Sequence, residues 1–142
     1  IGTNKETGRQ MTEGETEVVL IPQGTLAEML RAKAYGLGGI LTPTGLGTEV
    51  QKGRQVLTLS GKDYILEEAI GGDVSLLQAA VVDKAGNMYF HGSTQNFNVP
   101  MAGASKINIV YAEKVVEIGE LDPDMVKVPG VFIDYIVDGG NL

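Results

Sequence analysis

Apolar positions fall in short runs separated by glycine, proline and charged residues, and each run predicts an element. Glu17-Val18-Val19-Leu20-Ile21-Pro22 is an apolar run closed by proline, which predicts a buried strand. Leu26, Met29, Leu30, Ala34 and Leu37 recur at helical spacing. Thr25 followed by Glu28 fits a capping box, so the helix is expected to begin there, after a tight turn at Gln23-Gly24. Gly36 is a natural stop. Gly39-Ile40-Leu41 then reads as a second short strand.

Gln55–Leu59 and Tyr64–Leu66 flank Ser60-Gly61-Lys62-Asp63, a hairpin signal. The nearly unbroken run Val74–Val82 predicts a strand covered on both faces. Asp83-Lys84-Ala85-Gly86-Asn87 turns it into an arm at Met88-Tyr89-Phe90. Asn98-Val99-Pro100 starts a short helix reaching Ala104. Ile107–Ala112 is a further buried strand, and Asp122-Pro123-Asp124 opens a turn or a single helical turn. Val131–Val137 alternates around Asp134 and is expected to close the sheet. Strands joined by helices predict one α/β domain over residues 1–142, with an open, largely parallel sheet and antiparallel hairpins.

Composition narrows the function classes. With 43% hydrophobic residues and no apolar run of membrane-spanning length, the chain reads as globular with no membrane partner. Its net charge is −7, and its 11 basic residues are scattered, which argues against a nucleic-acid surface. There is no cysteine, so disulfides, thiol catalysis and thiolate metal sites are excluded, in keeping with a reducing cytoplasm. Glycine, at 20 of 142 residues, is about twice its usual share, which implies tight turns or close backbone approaches. The chain opens on Ile1 with no initiator methionine and no signal-peptide pattern, and so reads as a fragment or a processed product.

The candidate chemistry is sparse. Thr42-Pro43-Thr44-Gly45-Leu46-Gly47-Thr48 resembles a phosphate cradle, but no Lys-Ser/Thr or helix follows it, and the dinucleotide fingerprint lacks its third glycine. From spacing alone it is a strand-to-loop connection. His91 is the only histidine, so neither a Ser-His pair nor a multi-histidine metal site is indicated. Asp122 and Asp124 fit capping better than metal binding, and Glu67-Glu68 fits a solvated strand end. Gln95-Asn96-Phe97-Asn98 is odder: capping accounts for one amide, not three.

Five ordered blocks, IGTNKETGR (1–9), LIPQGTLAEMLRA (20–32), GLGGILTPTGLGT (36–48), STQNFN (93–98) and GELDPD…PGVFIDYI (119–136), together resemble the alpha subunit of family I coenzyme A transferases. These are the enzymes of the acetate, acetoacetate, butyrate and 3-oxoacid type. The resemblance implies the fold shared by coenzyme A transferases and sugar-phosphate isomerases. It implies a cytoplasmic enzyme that uses acyl-CoA and a short carboxylic acid as substrates, with no metal and no permanently bound cofactor. A glutamate of a beta subunit would attack the thioester and carry coenzyme A as a glutamyl thioester. That leaves no nucleophile for this chain, only one wall of the pocket. Gln23, Gly24, Thr44, Gly45, Gly47, Asn96, Phe97 and Asn98 are the expected wall, with Gln23 as donor to a substrate carboxylate or carbonyl and Phe97 as an apolar lid. At least one of Gly45 and Gly47 is expected to touch the reacting group. Two departures stand out: family subunits carry a further N-terminal portion with a Gly-rich loop, and many have Arg where this chain has Gln95. A non-catalytic scaffold subunit and an isomerase-like fold-mate are the alternatives.

Overall fold

The computed structural model describes residues 4–140, so the opening block is seen from Asn4 onward. The first helix, α1 (Lys5–Glu13), was not legible in the hydrophobic pattern because it buries nothing. Local polar contacts define it instead. The Asn4 side chain accepts from the Thr7 N–H at 3.1 Å, Gly14 ends the helix at φ 72°, and Arg9 pairs with Glu6, Glu13 and Glu15.

The strand expected over residues 17–22 does not form among the described residues. Val19 and Leu20 are 63% and 64% exposed, and no neighbouring strand offers this run a ladder. The second helix, α2 (Gln23–Ala34), starts earlier than the capping box predicts. Pro22 is its N-cap, and the Pro22 carbonyl accepts the first helical bond from the Leu26 N–H at 2.9 Å. Gln23 and Gly24 are therefore the first helical residues, not a turn, and Thr25 lies within the first turn, only 5% exposed. The end is as expected. Gly36 takes φ 72°, its N–H donates to Lys33, and the Leu37 N–H donates to Ala32 at 2.8 Å, a Schellman closure.

Strands β1 (Gly39–Thr42), β2 (Val56–Leu59) and β3 (Lys62–Glu68) form a small antiparallel sheet in the order β1-β3-β2. The hairpin loop is tighter than read from sequence. Ser60 and Gly61 alone make the turn, both at positive φ, and Lys62 and Asp63 already belong to β3. Glu67 is not solvated. It is buried and paired with Arg54 at 2.8 Å, while Glu68 is exposed.

The larger sheet runs β5-β4-β6-β7, with β4 (Gly72–Asp83), β6 (Ser105–Val116) and β7 (Tyr135–Asp138) parallel and β5 (Met88–Tyr89) antiparallel. The α/β class and the mixture of parallel sheet and hairpins agree with the sequence. The expectation that β4 is covered on both faces does not hold within the described residues. Leu77, Ala79 and Val82 point into the core, while Val74 and Leu76 are exposed on the other face, Leu76 by 75%. The inner face packs on Phe90, Ala102, Val128 and the short helix α3 (Asn98–Met101), which ends before Ala104. The closing strand also begins later than its alternation suggests. Val131 lies in a 3-10 turn and is exposed, and the Asp134 carboxylate accepts from the Asn108 N–H at 2.7 Å just before β7.

Candidate functional site

The first turn of α2 opens onto two cavities. One, of about 500 Å³, lies between α2 and the segment leading into α3, with Gln23, Arg31, Gln95, Asn96 and Phe97 in its wall. The other, of about 580 Å³, lies between α2 and the end of β1, with Thr25, Glu28, Ile40 and Thr44 in its wall. Gly24 belongs to both.

Helix geometry explains why this end carries donors. The N–H groups of Gln23, Gly24 and Thr25 have no partner within the described residues, because the N-cap is proline and has no side chain to turn on them. The first turn also carries no acidic residue. The uncapped amides and the helix dipole leave partial positive charge at this end of α2, whose first residues line the cavities. Gln23, Ala27 and Arg31 follow at i, i+4 and i+8, so one helix stripe lines the first cavity. Arg31 pairs with Glu28 on the same helix, and that contact holds its guanidinium above its ordinary pKa. Sequence reasoning missed Arg31, Glu28 and Thr25. The four-residue stripe from Gln23 was the available signal for Arg31.

The expected site residues divide into two groups. Gln23, Gly24, Asn96 and Phe97 come together around the first cavity, and Thr44 joins Gly24 at the second. Asn98, Gly45 and Gly47 line neither cavity. The Asn98 carboxamide accepts from the Gln78 N–H at 3.0 Å and donates to the Thr94 carbonyl at 2.9 Å, fastening β4 to the segment before α3. Gly45 has φ 95°, and an added Cβ would lie 2.7 Å from Val50 Cγ1, so its hydrogens face loop packing. Gly47 has φ 71°, open space around it, and an N–H that donates to Gln51 at 2.7 Å. His91 is exposed, and its carbonyl accepts from Thr94. Among the described residues no three His, Cys, Asp or Glu side chains converge as metal ligands, and no helix is long and apolar enough to cross a membrane.

These placements change what glycine substitution should do. Gly45→Ala is expected to cost about 2 kcal/mol or more, from backbone strain plus the clash with Val50. Gly47→Ala should cost only about 1 kcal/mol, from strain alone. In both, folded enzyme should keep its kcat/KM, because neither glycine lines either cavity at the start of α2. Melting temperature and kcat/KM of the two variants check this; a hundredfold rate loss with the fold intact would return the loop to the pocket wall.

Comparison with known proteins identifies the family of the chain. The family model for coenzyme A transferase matches residues 1–139. The chain is 50% identical over 137 residues to the acetate CoA-transferase subunit alpha of Escherichia coli K12, covering 96% of this chain and 62% of that protein. It is 47% identical over 137 residues to the acetoacetyl-CoA:acetate/butyrate CoA transferase alpha subunit of Clostridium acetobutylicum, covering 96% and 63% respectively. The chain thus spans about three-fifths of the length of the relatives it matches. Its fold superposes on glutaconate coenzyme A-transferase from Acidaminococcus fermentans with a TM-score of 0.81 at 20% identity, over 92% of this chain and 48% of that one. For an acyl-CoA transferase of E. coli O157:H7 in a thioester complex with CoA, the TM-score is 0.72 at 25% identity, over 86% and 28%. Matched along nearly all its length and half identical to alpha subunits, the chain belongs to the coenzyme A transferase family.

Proposed function

We propose that this chain forms one wall of the substrate pocket of an alpha/beta coenzyme A transferase, one that exchanges coenzyme A between a short-chain acyl-CoA and a carboxylic acid. A glutamate carboxylate of the beta subunit attacks the thioester carbonyl and expels the coenzyme A thiolate, leaving an acyl-glutamyl anhydride. The thiolate attacks the glutamyl carbonyl and frees the first acid. The second acid reverses both steps through its own carboxylate, so the thioester bond is conserved throughout. Acetate, acetoacetate, butyrate and succinate are the acid class, and the cytoplasm is the compartment this reading implies.

The observation that carries the reading is the uncapped first turn of α2, whose N–H groups have no partner among the described residues and whose Gln23 and Gly24 lie in the cavity walls. Fixed donors there suit the oxyanion of the thioester or the carboxylate of the acid. Phe97 adds an apolar surface that keeps water from the anhydride. Thr44 lines the second cavity together with Gly24.

The test is the complete subunit with its partner, given acetoacetyl-CoA and acetate. Acetyl-CoA should appear, and mass spectrometry should find coenzyme A on a glutamate of the partner chain. Absence of both overturns the reading. Within the same complex, Gln23→Ala should lower kcat/KM roughly 10- to 100-fold, the value of a hydrogen bond to a charged oxygen, with melting temperature unchanged. Unchanged kinetics would favour a scaffold role for this wall.

A further inference from the structure

We propose that Asn96 contacts the acyl or carboxylate oxygen of the substrate, and that it is held for this purpose in a turn position that suits glycine better. The proposal rests on the transferase reading above. Asn96 has φ 34° and ψ −129°, and Phe97 follows at φ −81° and ψ −4°. Those are the central angles of a type II′ turn, whose first central residue is ordinarily glycine. Only one other described residue besides glycine, Ser60, has positive φ.

No hydrogen bond among the described residues repays the strain at Asn96. Its neighbours are fastened: Thr94 donates through its hydroxyl to the His91 carbonyl at 2.7 Å, and Asn98 clamps Thr94 and Gln78. The Asn96 carboxamide makes no comparable bond. It stands exposed on the wall of the 500 Å³ cavity that also holds Gln23 and Arg31. A side chain that strains its turn, packs nothing and borders a cavity with uncapped helix donors is placed for a ligand. Such outliers gather where function over-determines the backbone. A carboxamide supplies Nδ2 as a donor to a carbonyl or carboxylate oxygen without adding charge beside the Arg31–Glu28 pair.

The experiment compares Asn96→Gly and Asn96→Ala in the complete subunit assembled with its partner. Asn96→Gly relieves the backbone and should raise the melting temperature by roughly 2–8 °C. The same variant should lose roughly 10- to 100-fold in kcat/KM for the acid, the acyl-CoA, or both. Loss for the acid alone identifies the carboxylate as the contact, and loss for both identifies the acyl carbonyl. Asn96→Ala should lose activity without the gain in stability. An Asn96→Gly enzyme that is as active as the unsubstituted one, or less stable than it, overturns the proposal while leaving the transferase reading intact. An unsubstituted complex that transfers no coenzyme A overturns both.

Discussion

Given acyl-CoA and acid, the isolated 142-residue chain is expected to transfer no coenzyme A, while the complete assembly turns over. The walls of the two cavities explain why. They present amides, backbone N–H groups, hydroxyls and apolar side chains, and Glu28 is the one carboxylate among them. Glu28 is tied to Arg31, whose guanidinium it stabilises in the charged form. A carboxylate already engaged in an ion pair must leave Arg31 to attack a thioester, and Thr25 and Thr44 have no histidine or lysine beside them in the cavity wall to take up a proton. Removing the nucleophile of a covalent enzyme costs on the order of a millionfold in kcat. The measurement is label exchange between acetyl-CoA and free acetate, for the chain alone and with its partner. Exchange by the chain alone would identify Glu28 as a nucleophile, and Glu28→Gln would then abolish it.

Much of the fold was legible where the signal is local. The Schellman stop at Gly36, the Ser60-Gly61 hairpin and the cap at Asp122 each depend on a few adjacent residues, and each is present. The errors came where distant chain decides. Apolar runs at 17–22 and 74–82 specify strands that want company, yet the first finds no ladder among the described residues and the second has one bare face. Thr25 carried a capping signature, but the helix register is set from Pro22, which turns Thr25 inward. At the site, Gln23 and Asn96 were expected in one wall only through the family resemblance. Only the packing of α2 on α3 puts them around one cavity, and no local pattern encodes that contact. Gly45 and Gly47 show the opposite case. Their positive φ was foreseeable from turn chemistry, but the direction in which a Cβ would point was not.

Gly130→Ala is expected to be among the most damaging single methyls in the chain. The φ of Gly130 is not positive, so the backbone itself would tolerate alanine. The obstacle is contact: the added Cβ would lie 2.0 Å from the Ala85 carbonyl oxygen and 3.1 Å from the Asn87 nitrogen. Two stretches of main chain cross here, and neither is a flexible side-chain tip that can swing aside. The crossing is bonded as well as crowded. The Gly130 N–H donates to Asn87 Oδ1 at 2.9 Å, and Asn87 Nδ2 donates to Asp83 Oδ2 at 2.8 Å. Asp83, 3% exposed, accepts through Oδ1 from the N–H groups of Ala85 and Asn87. Just beyond, the Met88 N–H donates to the Val128 carbonyl at 2.9 Å, and both residues are fully buried in the core. Separating the two stretches enough to seat a methyl pulls on this whole network, which leaves buried donors unpaired as well as straining the chain. The expected loss is about 4 kcal/mol or more, which for a domain of this size lowers the melting temperature by roughly 10 °C or more. Ala85→Gly in the same chain should rescue nothing, because it deletes a Cβ and leaves the offending carbonyl oxygen in place. Asn87→Ala isolates the hydrogen-bond share and should fall short of the full loss. A Gly130→Ala protein that melts within two or three degrees of the parent would mean that the two main-chain stretches do not cross this closely, and that the Asp83–Asn87 turn is held by its own bonds alone.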